Sequence, residues 1–236
     1  MRYLIAFLLL TSCSPLYLPG TRNTPLFREQ GEAQLSGFIS GAGAEAQVAY
    51  ALTDNVAVTG SFSYASQKKT NPDYDRKNLF GEVGLGYYGR SRSVRYELFA
   101  GYGMGQSTNY DVYYFFAPFF GQQVNVEATG KVQRIFFQPS IGTNNRGTNI
   151  FFTPRISWVD FSEFTSGAIS VKPAESPKLY LEPAATLKFH LAGNLYGIFQ
   201  LGLTVPMGDT FYTYQPLTAS IGLQIDTGGL GTKVYK

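Results

Sequence analysis

The chain of 236 residues is long enough for one large domain, and 44% of its residues are hydrophobic, which is enough to form a core. The formal net charge is only +3 and the basic residues are scattered, so we expect no nucleic-acid partner. One cysteine excludes an internal disulfide framework, and one histidine excludes a metal centre built from several imidazoles. We therefore expect no metal and no cofactor.

The first residues resemble the signal of a bacterial lipoprotein. Arg2 supplies a positive charge, residues 3–10 form an apolar run too short to span a membrane, and Leu10-Thr11-Ser12-Cys13 resembles a lipobox. In that family the cysteine becomes the first residue of the mature chain and carries lipid. The resemblance implies a signal peptide over residues 1–12 and lipidation of Cys13. The alternative is an ordinary signal peptide in which the cysteine is incidental.

Residues 13–31 show no hydrophobic periodicity, and the part from residue 14 onward contains three prolines and two glycines. Such a composition favours neither a helix nor a regular strand. We predict that these residues form a lipidated lead or plug, with the N-terminus anchored on the periplasmic side of a bacterial outer membrane.

From residue 32 onward, polar and apolar residues alternate with a period of two, and clusters of turn residues interrupt the alternation. The pattern predicts a domain of ten strands over residues 32–226, followed by a tail over residues 227–236. The strands are expected over residues 32–41, 44–53, 55–65, 79–88, 93–106, 122–142, 148–159, 179–190, 194–206 and 216–226.

The charged residues test this assignment. When the apolar face of each strand is set from its hydrophobic residues alone, eight charges fall on the opposite face: Glu45, Glu82, Arg95, Glu97, Arg134, Arg155, Glu182 and Lys188. Only Lys131 breaks the rule. An arginine facing lipid at mid-membrane costs about 2–4 kcal/mol, which explains why one face excludes charge. The eight charges, four of each sign, are expected to form a neutral network in the lumen; the alternative is that they line a narrow pore.

Short and long links between the predicted strands alternate. Turns such as "TDN", "GTNNRG" and "AGN" lie at one end, whereas segments such as "SQKKTNPDYDRKN" lie at the other. Short periplasmic turns and long outer loops are typical of outer-membrane barrels. We therefore predict an all-β fold, an up-and-down antiparallel transmembrane β-barrel of about ten strands. A lipid-tethered soluble β-barrel that binds a small apolar ligand is the competing interpretation.

Two stretches carry a further resemblance. Residues 23–58, with Pro25-Leu26-Phe27, Gly31-Glu32 and "AEAQVAYALTDN", and residues 180–189, "YLEPAATLKF", resemble a family of outer-membrane β-barrel proteins and lipoproteins from Bacteroidetes-type bacteria. Many members are described only as outer-membrane proteins of unknown function. The chain departs from the common barrel pattern, in which an aromatic residue closes the last strand, because "DTGGLGTKVYK" follows Ile225.

No Walker loop, H-E-x-x-H or C-x-x-C motif is present, so we expect a protein that is not an enzyme. One link, "NYDVYYFFAPFF" at residues 109–120, is unusually aromatic. Exposed apolar patches of this density are typical of contact with a partner or with lipid. The alternative is that these rings only form the outer girdle or fold over the barrel mouth. The predicted contacts are Tyr113, Tyr114, Phe115, Phe116, Phe119 and Phe120.

Taken together, the sequence predicts an outer-membrane lipoprotein with a structural or interaction role in the cell envelope. Its partners are expected to be outer-membrane lipid and an envelope protein that contacts the outer loops. The alternative function is a small pore or a transport-related barrel.

Overall fold

The computed structural model describes residues 15–67, 76–114, 123–145, 147–166, 169–171, 177–210 and 214–227. No helix within these ranges is long and apolar enough to cross a membrane. The regular structure of this part of the chain consists of the strands β1 (Ala33–Ser40), β2 (Gly43–Ala51), β3 (Val56–Gln67), β4 (Arg76–Arg90), β5 (Val94–Tyr114), β6 (Gln123–Thr143), β7 (Thr148–Thr153), β8 (Ile156–Ser166), β9 (Ile169–Val171), β10 (Lys178–Leu181), β11 (Ala184–Ala192), β12 (Leu195–Leu203), β13 (Val205–Pro206) and β14 (Leu217–Thr227).

The strands form one closed antiparallel barrel. Strands β1 to β6 pair in chain order, and β14 closes the ring on β1, from Ala33 opposite Thr227 to Ser40 opposite Ser220. Three of the barrel strands are interrupted, so that β7 continues into β8, β10 into β11 and β12 into β13, while the short β9 pairs only with β8. Counted in this way the barrel has ten strands, which confirms the predicted fold.

Prolines explain two of the three interruptions. Pro154 separates β7 from β8, and Pro183 separates β10 from β11, because proline cannot donate the N–H that a ladder requires. The wall stays closed at this level, since Arg155 and Glu182 exchange two main-chain hydrogen bonds, of 3.3 and 2.7 Å. The prediction of unbroken strands over residues 148–159, 179–190 and 194–206 is therefore wrong.

The barrel is apolar outside and polar inside. Along β4, Leu79, Val83 and Leu85 are exposed, whereas the alternate residues Phe80 and Glu82 are buried. A soluble barrel would keep its large apolar side chains in the core, so this inverted polarity is that of a membrane-spanning barrel. The same parity holds around the wall, with Leu35, Val48, Ile135, Trp158, Leu201 and Ile221 exposed and Gln34, Gln47, Gln138, Ser157, Gln200 and Ser220 buried.

The two ends of the barrel differ in their connections. Only two to four residues separate consecutive strands at one end of the barrel, between β2 and β3, β4 and β5, β6 and β7, and β11 and β12, and we call it the short-turn end. The links at the opposite end, the long-link end, are longer. The one tight connection there joins β1 to β2 and depends on Gly43, whose φ of 108° favours glycine.

One hairpin rises well beyond the rest of the wall at the long-link end. Strands β5 and β6 pair over 21 residues each, from Val94 opposite Thr143 to Tyr114 opposite Gln123. At about 3.3 Å per residue and a tilt of about 40°, such strands rise roughly 50 Å, about twice the height of an apolar band of ~25 Å. The sequence analysis predicted that β5 ends at residue 106, whereas it continues to Tyr114. It also predicted an end at residue 159 for the strand that contains β8, whereas β8 continues to Ser166.

A charge placed on the lipid-facing side should destabilise the barrel according to its depth. Val83 is 65% exposed in the middle of β4, so we expect Val83→Arg to lower the free energy of unfolding by about 2–4 kcal/mol. Gln133→Arg provides the control, because Gln133 is an exposed position of β6 beyond the apolar residues, toward the long-link end. Urea unfolding in phospholipid vesicles measures the free energy of unfolding of both variants. Equal losses would contradict the assignment of Val83 to the middle of the membrane and of Gln133 to its edge.

Candidate functional site: the barrel lumen

The N-terminal part of the described chain lies inside the barrel. Residues 15–27, which we call the lumen segment, belong to no strand, yet most of them are buried. Toward the long-link end, the rings of Tyr17 and Tyr180 pack with their centroids 5.0 Å apart. Toward the short-turn end, Phe27 packs on Tyr88 at 5.3 Å. The lumen of this barrel is therefore filled by its own chain.

The direction of the lumen segment corrects the predicted orientation of the N-terminus. Tyr17 forms a parallel bridge with Tyr214, in the link before β14, and the Gln215 N–H donates to the Tyr17 carbonyl at 3.1 Å. From there the lumen segment runs to the short-turn end, where β1 begins. Residue 15 thus lies toward the long-link end. The sequence prediction placed the N-terminus on the periplasmic side, the side of the short turns, whereas the described chain starts at the opposite end. The composition of this segment does not encode how it threads the barrel. The lipid anchor at Cys13 lies outside the described residues and stays a prediction.

Three of the predicted lumen charges form one buried ion cluster. Glu82 on β4 contacts Arg134 on β6, and it also contacts Arg155, between β7 and β8, at 3.1 Å. The three side chains are at most 5% exposed. Gln138 adds an acceptor, since its Oε1 receives a hydrogen bond of 2.8 Å from Arg155 Nε. These contacts offset the cost of keeping the three charges away from water.

Aromatic rings support both arginines of this cluster. The guanidinium carbon of Arg134 lies 4.5 Å from the ring centroid of Phe80, and that of Arg155 lies 4.5 Å from the centroid of Phe136. Phe136 has room to lie there because Gly101 carries no side chain. A Cβ on Gly101 would come within 2.5 Å of the Phe136 ring.

Other predicted charges bind the lumen segment instead of one another. The Glu45 carboxylate accepts hydrogen bonds from the N–H and the hydroxyl of Thr21, at 2.8 and 3.0 Å. The Glu182 carboxylate accepts one of 2.7 Å from the hydroxyl of Tyr17. Carboxylates buried in the wall are thus satisfied by donors that the lumen segment brings in.

The lumen segment adopts a left-handed backbone conformation at Leu26. Its φ of 53° lies in the left-handed region, which costs a residue with a side chain about 1–2 kcal/mol. The wall holds both main-chain groups, because the N–H donates to Glu97 at 2.9 Å and the carbonyl accepts from Arg95 Nη1 at 2.7 Å. At the turn into β1, the Glu32 carboxylate accepts the Arg28 N–H at 2.7 Å, and burial raises the pKa of Glu32.

All eight predicted lumen charges are buried, at no more than 7% exposure, but they do not form a single network. Among the eight, ion pairs join only Glu82, Arg134 and Arg155. Lys188 pairs instead with Asp226, at 3.2 Å, a residue that the sequence interpretation left out. The exception to the parity rule, Lys131, pairs with Glu163 on the outer surface at 2.6 Å.

Sequence reasoning missed the residues that join the lumen segment to the wall. The alternation that placed the charges also points Gln47, Gln138 and Gln200 inward, so the wall residues could have been found. Their partners in the lumen segment could not have been found, because no local pattern connects residues as distant in sequence as Gln200 and Arg22, which are 178 positions apart. The residues missed are Tyr17, Thr21, Arg22, Asn23, Leu26, Gln47, Gln138, Gln200 and Asp226.

The predicted partner contacts are only partly within the described chain. Tyr113 and Tyr114 lie at the end of β5, opposite Val124 and Gln123. Phe115, Phe116, Phe119, Phe120 and the predicted lipidation site Cys13 lie outside the described residues. Within the described ranges, no group of three or more His, Cys, Asp or Glu could hold a metal ion.

No protein-family profile matches the sequence, and no curated protein matches it. Among solved structures, the barrel is similar to the outer membrane protease OmpT from Escherichia coli, with a TM-score of 0.48, 9% identity, and 84% of this chain and 94% of that chain covered. It is similar to the translocator domain of the autotransporter NalP from Neisseria meningitidis, with a TM-score of 0.42, 10% identity, and 82% of this chain and 86% of that chain covered. It is also similar to the KdgM porin, with a TM-score of 0.38, 8% identity, and 84% of this chain and 99% of that chain covered. Similarities this low carry no argument about activity or partners.

Removing the shared carboxylate of the ion cluster should be costly. We expect Glu82→Gln to lower the free energy of unfolding by about 3–5 kcal/mol, because it leaves Arg134 and Arg155 buried without their counter-charge. Glu163→Gln is the control, since the Lys131–Glu163 pair is about half exposed and should contribute under about 1 kcal/mol. Urea unfolding measures both variants. Similar losses would show that the cluster does not stabilise the lumen.

Proposed function

We propose that this protein is an outer-membrane β-barrel lipoprotein with a structural or interaction role in the envelope, and that it contacts an envelope partner through its outer loops. The observation that carries this proposal is the lumen occupied by residues 15–27, which favours contacts at the outer surface over passage of solutes through the barrel. Membership of the Bacteroidetes-type barrel family belongs to the same proposal and is supported by the residues quoted above.

The lumen segment supports an unusual position for the lipid. Two residues span at most about 7 Å, so a lipid on Cys13 would lie close to Pro15, toward the long-link end. Leu16 is buried in the lumen close to Gly130. The next residue, Lys131, faces outward and pairs with Glu163 at the edge of the apolar exterior. If short turns face the periplasm, as in other barrels, the lipid enters the outer leaflet.

The long hairpin of β5 and β6 supports partner contact at the same end. It carries Tyr113 and Tyr114 beyond the apolar band. In the sequence, the predicted contact residues continue from Tyr114 to Phe120. Aromatic residues are enriched where proteins bind one another, and a projecting hairpin brings them within reach of another envelope protein.

The first prediction of this proposal concerns the lipid. We expect an alkyne analogue of palmitate, supplied to cells, to label the wild type but not Cys13→Ser, because the chain has no other cysteine. Ser12→Ala is the control and should stay labelled, since it keeps a small residue before the cysteine. An unlabelled wild type would contradict the lipoprotein assignment.

The second prediction concerns the hairpin tip. Replacing residues 113–120 with a Gly/Ser sequence of equal length should abolish crosslinking to a neighbouring envelope protein on intact cells. The barrel should still shift in gel mobility on heating, because the wall below the tip is unchanged.

An equal replacement of residues 68–75, the link between β3 and β4, serves as the control and should leave crosslinking intact. Loss of crosslinking in both variants, or in neither, would contradict a specific role of residues 113–120. Discrete conductance steps of the wild type in planar bilayers would favour the alternative of a small pore.

A further inference from the structure

The geometry points to the lumen as a binding site for an extended peptide, read mainly through its main chain and occupied here by residues 15–27 of the same chain. The inference concerns the barrel interior alone and needs neither the lipid nor the hairpin tip.

The first observation is how the middle of the lumen segment is held. The Gln200 side-chain amide binds both main-chain groups of Arg22, accepting from the N–H at 2.7 Å and donating to the carbonyl at 3.0 Å. An amide that pairs with both groups of one residue replaces the neighbouring strand that an extended chain would otherwise need.

The same mode of contact recurs along the lumen segment. Glu45 and Gln47 on β2 bind the N–H and the carbonyl of Thr21, both at 2.8 Å. Gln138 donates to the Asn23 carbonyl at 2.7 Å. With the two bonds at Leu26, seven main-chain groups are held by six side chains that are at most 6% exposed: Glu45, Gln47, Arg95, Glu97, Gln138 and Gln200.

Side-chain pockets at the two ends would select the peptide. Tyr17 donates to Glu182 at 2.7 Å and accepts from Arg134 Nη1 at 3.0 Å, so its pocket suits a hydroxyl-bearing ring. Phe27 occupies an apolar pocket that includes Tyr88 and Phe99. The ligand class is therefore an extended peptide with aromatic residues ten positions apart.

The test keeps the full chain folded and then breaks the covalent link. Arg28, Glu29 and Gln30 are exposed at the short-turn end, so a specific-protease site can be inserted between Glu29 and Gln30. After folding in detergent and cleavage, we expect the N-terminal fragment to remain bound through gel filtration. A labelled synthetic peptide of residues 15–29 should then replace it, as measured by fluorescence anisotropy.

Two matched pairs test main-chain recognition. An amide-to-ester change that removes the Arg22 N–H from the peptide should weaken binding about tenfold, because it leaves the buried Gln200 oxygen without its donor. The same change at Thr24, for whose N–H the described residues provide no hydrogen bond, should have little effect.

In the wall, Gln200→Leu should weaken binding about tenfold. Gln224→Leu should not, because Gln224 binds Gln34 rather than the lumen segment.

Heat-modifiable gel mobility confirms in each case that the barrel is intact. Release of the fragment on cleavage without rebinding of the peptide would overturn the proposal. So would retention without exchange at a hundredfold excess of peptide, or equal effects within either matched pair.

Discussion

The constraint on which the rest of this structure depends is the separation of polarity across a single wall. Lipid outside excludes charge, so every charged side chain of the strands must point inward or lie beyond the apolar band. Inside a narrow closed lumen those charges have little access to water, and they need partners. The wall supplies some of these partners itself, as at Glu82, Arg134 and Arg155.

The lumen segment supplies the rest. Glu45, Glu97 and Arg95 find their partners in main-chain groups of residues 21 and 26, and Glu182 finds one in Tyr17. The segment depends on the wall in the same way, because its own main chain belongs to no ladder and must be satisfied by side chains. Wall and segment therefore stabilise each other, and neither forms a complete set of hydrogen bonds alone.

The filled lumen determines whether solutes can pass through this ten-stranded barrel. An empty barrel of this size would suggest a narrow channel, whereas a filled one keeps its polar interior away from solutes. The surfaces that remain are the lipid-facing band and the projecting hairpin of β5 and β6, and the proposed function uses the hairpin. The interior holds the main chain of the lumen segment through wall side chains such as Gln47, Gln138 and Gln200, which is the basis of the peptide-binding proposal.

The alternation of the sequence was sufficient to predict that the chain forms ten barrel strands, which face of each strand is polar, and at which end the short turns lie. These features follow from local rules, because side chains alternate along a strand and lipid tolerates charge on one face only. The interruptions at Pro154 and Pro183 were missed because apolar residues such as Phe152 and Ile156 keep facing outward on both sides of the break. The length of β5 was missed because strand pairing outside the apolar band leaves little periodic signal.

The tertiary structure alone decided how the lumen is filled. Nothing in residues 15–27 indicates that Arg22 meets Gln200, or that Tyr17 lies beside Tyr214, since these contacts join the start of the chain to strands near its end. The threading direction is set by contacts at the two ends of the lumen segment, where Tyr17 lies beside Tyr214 and Phe27 packs on Tyr88, and these contacts need the closed ring. Closure is a property of the whole ring, so no local pattern of residues could encode it.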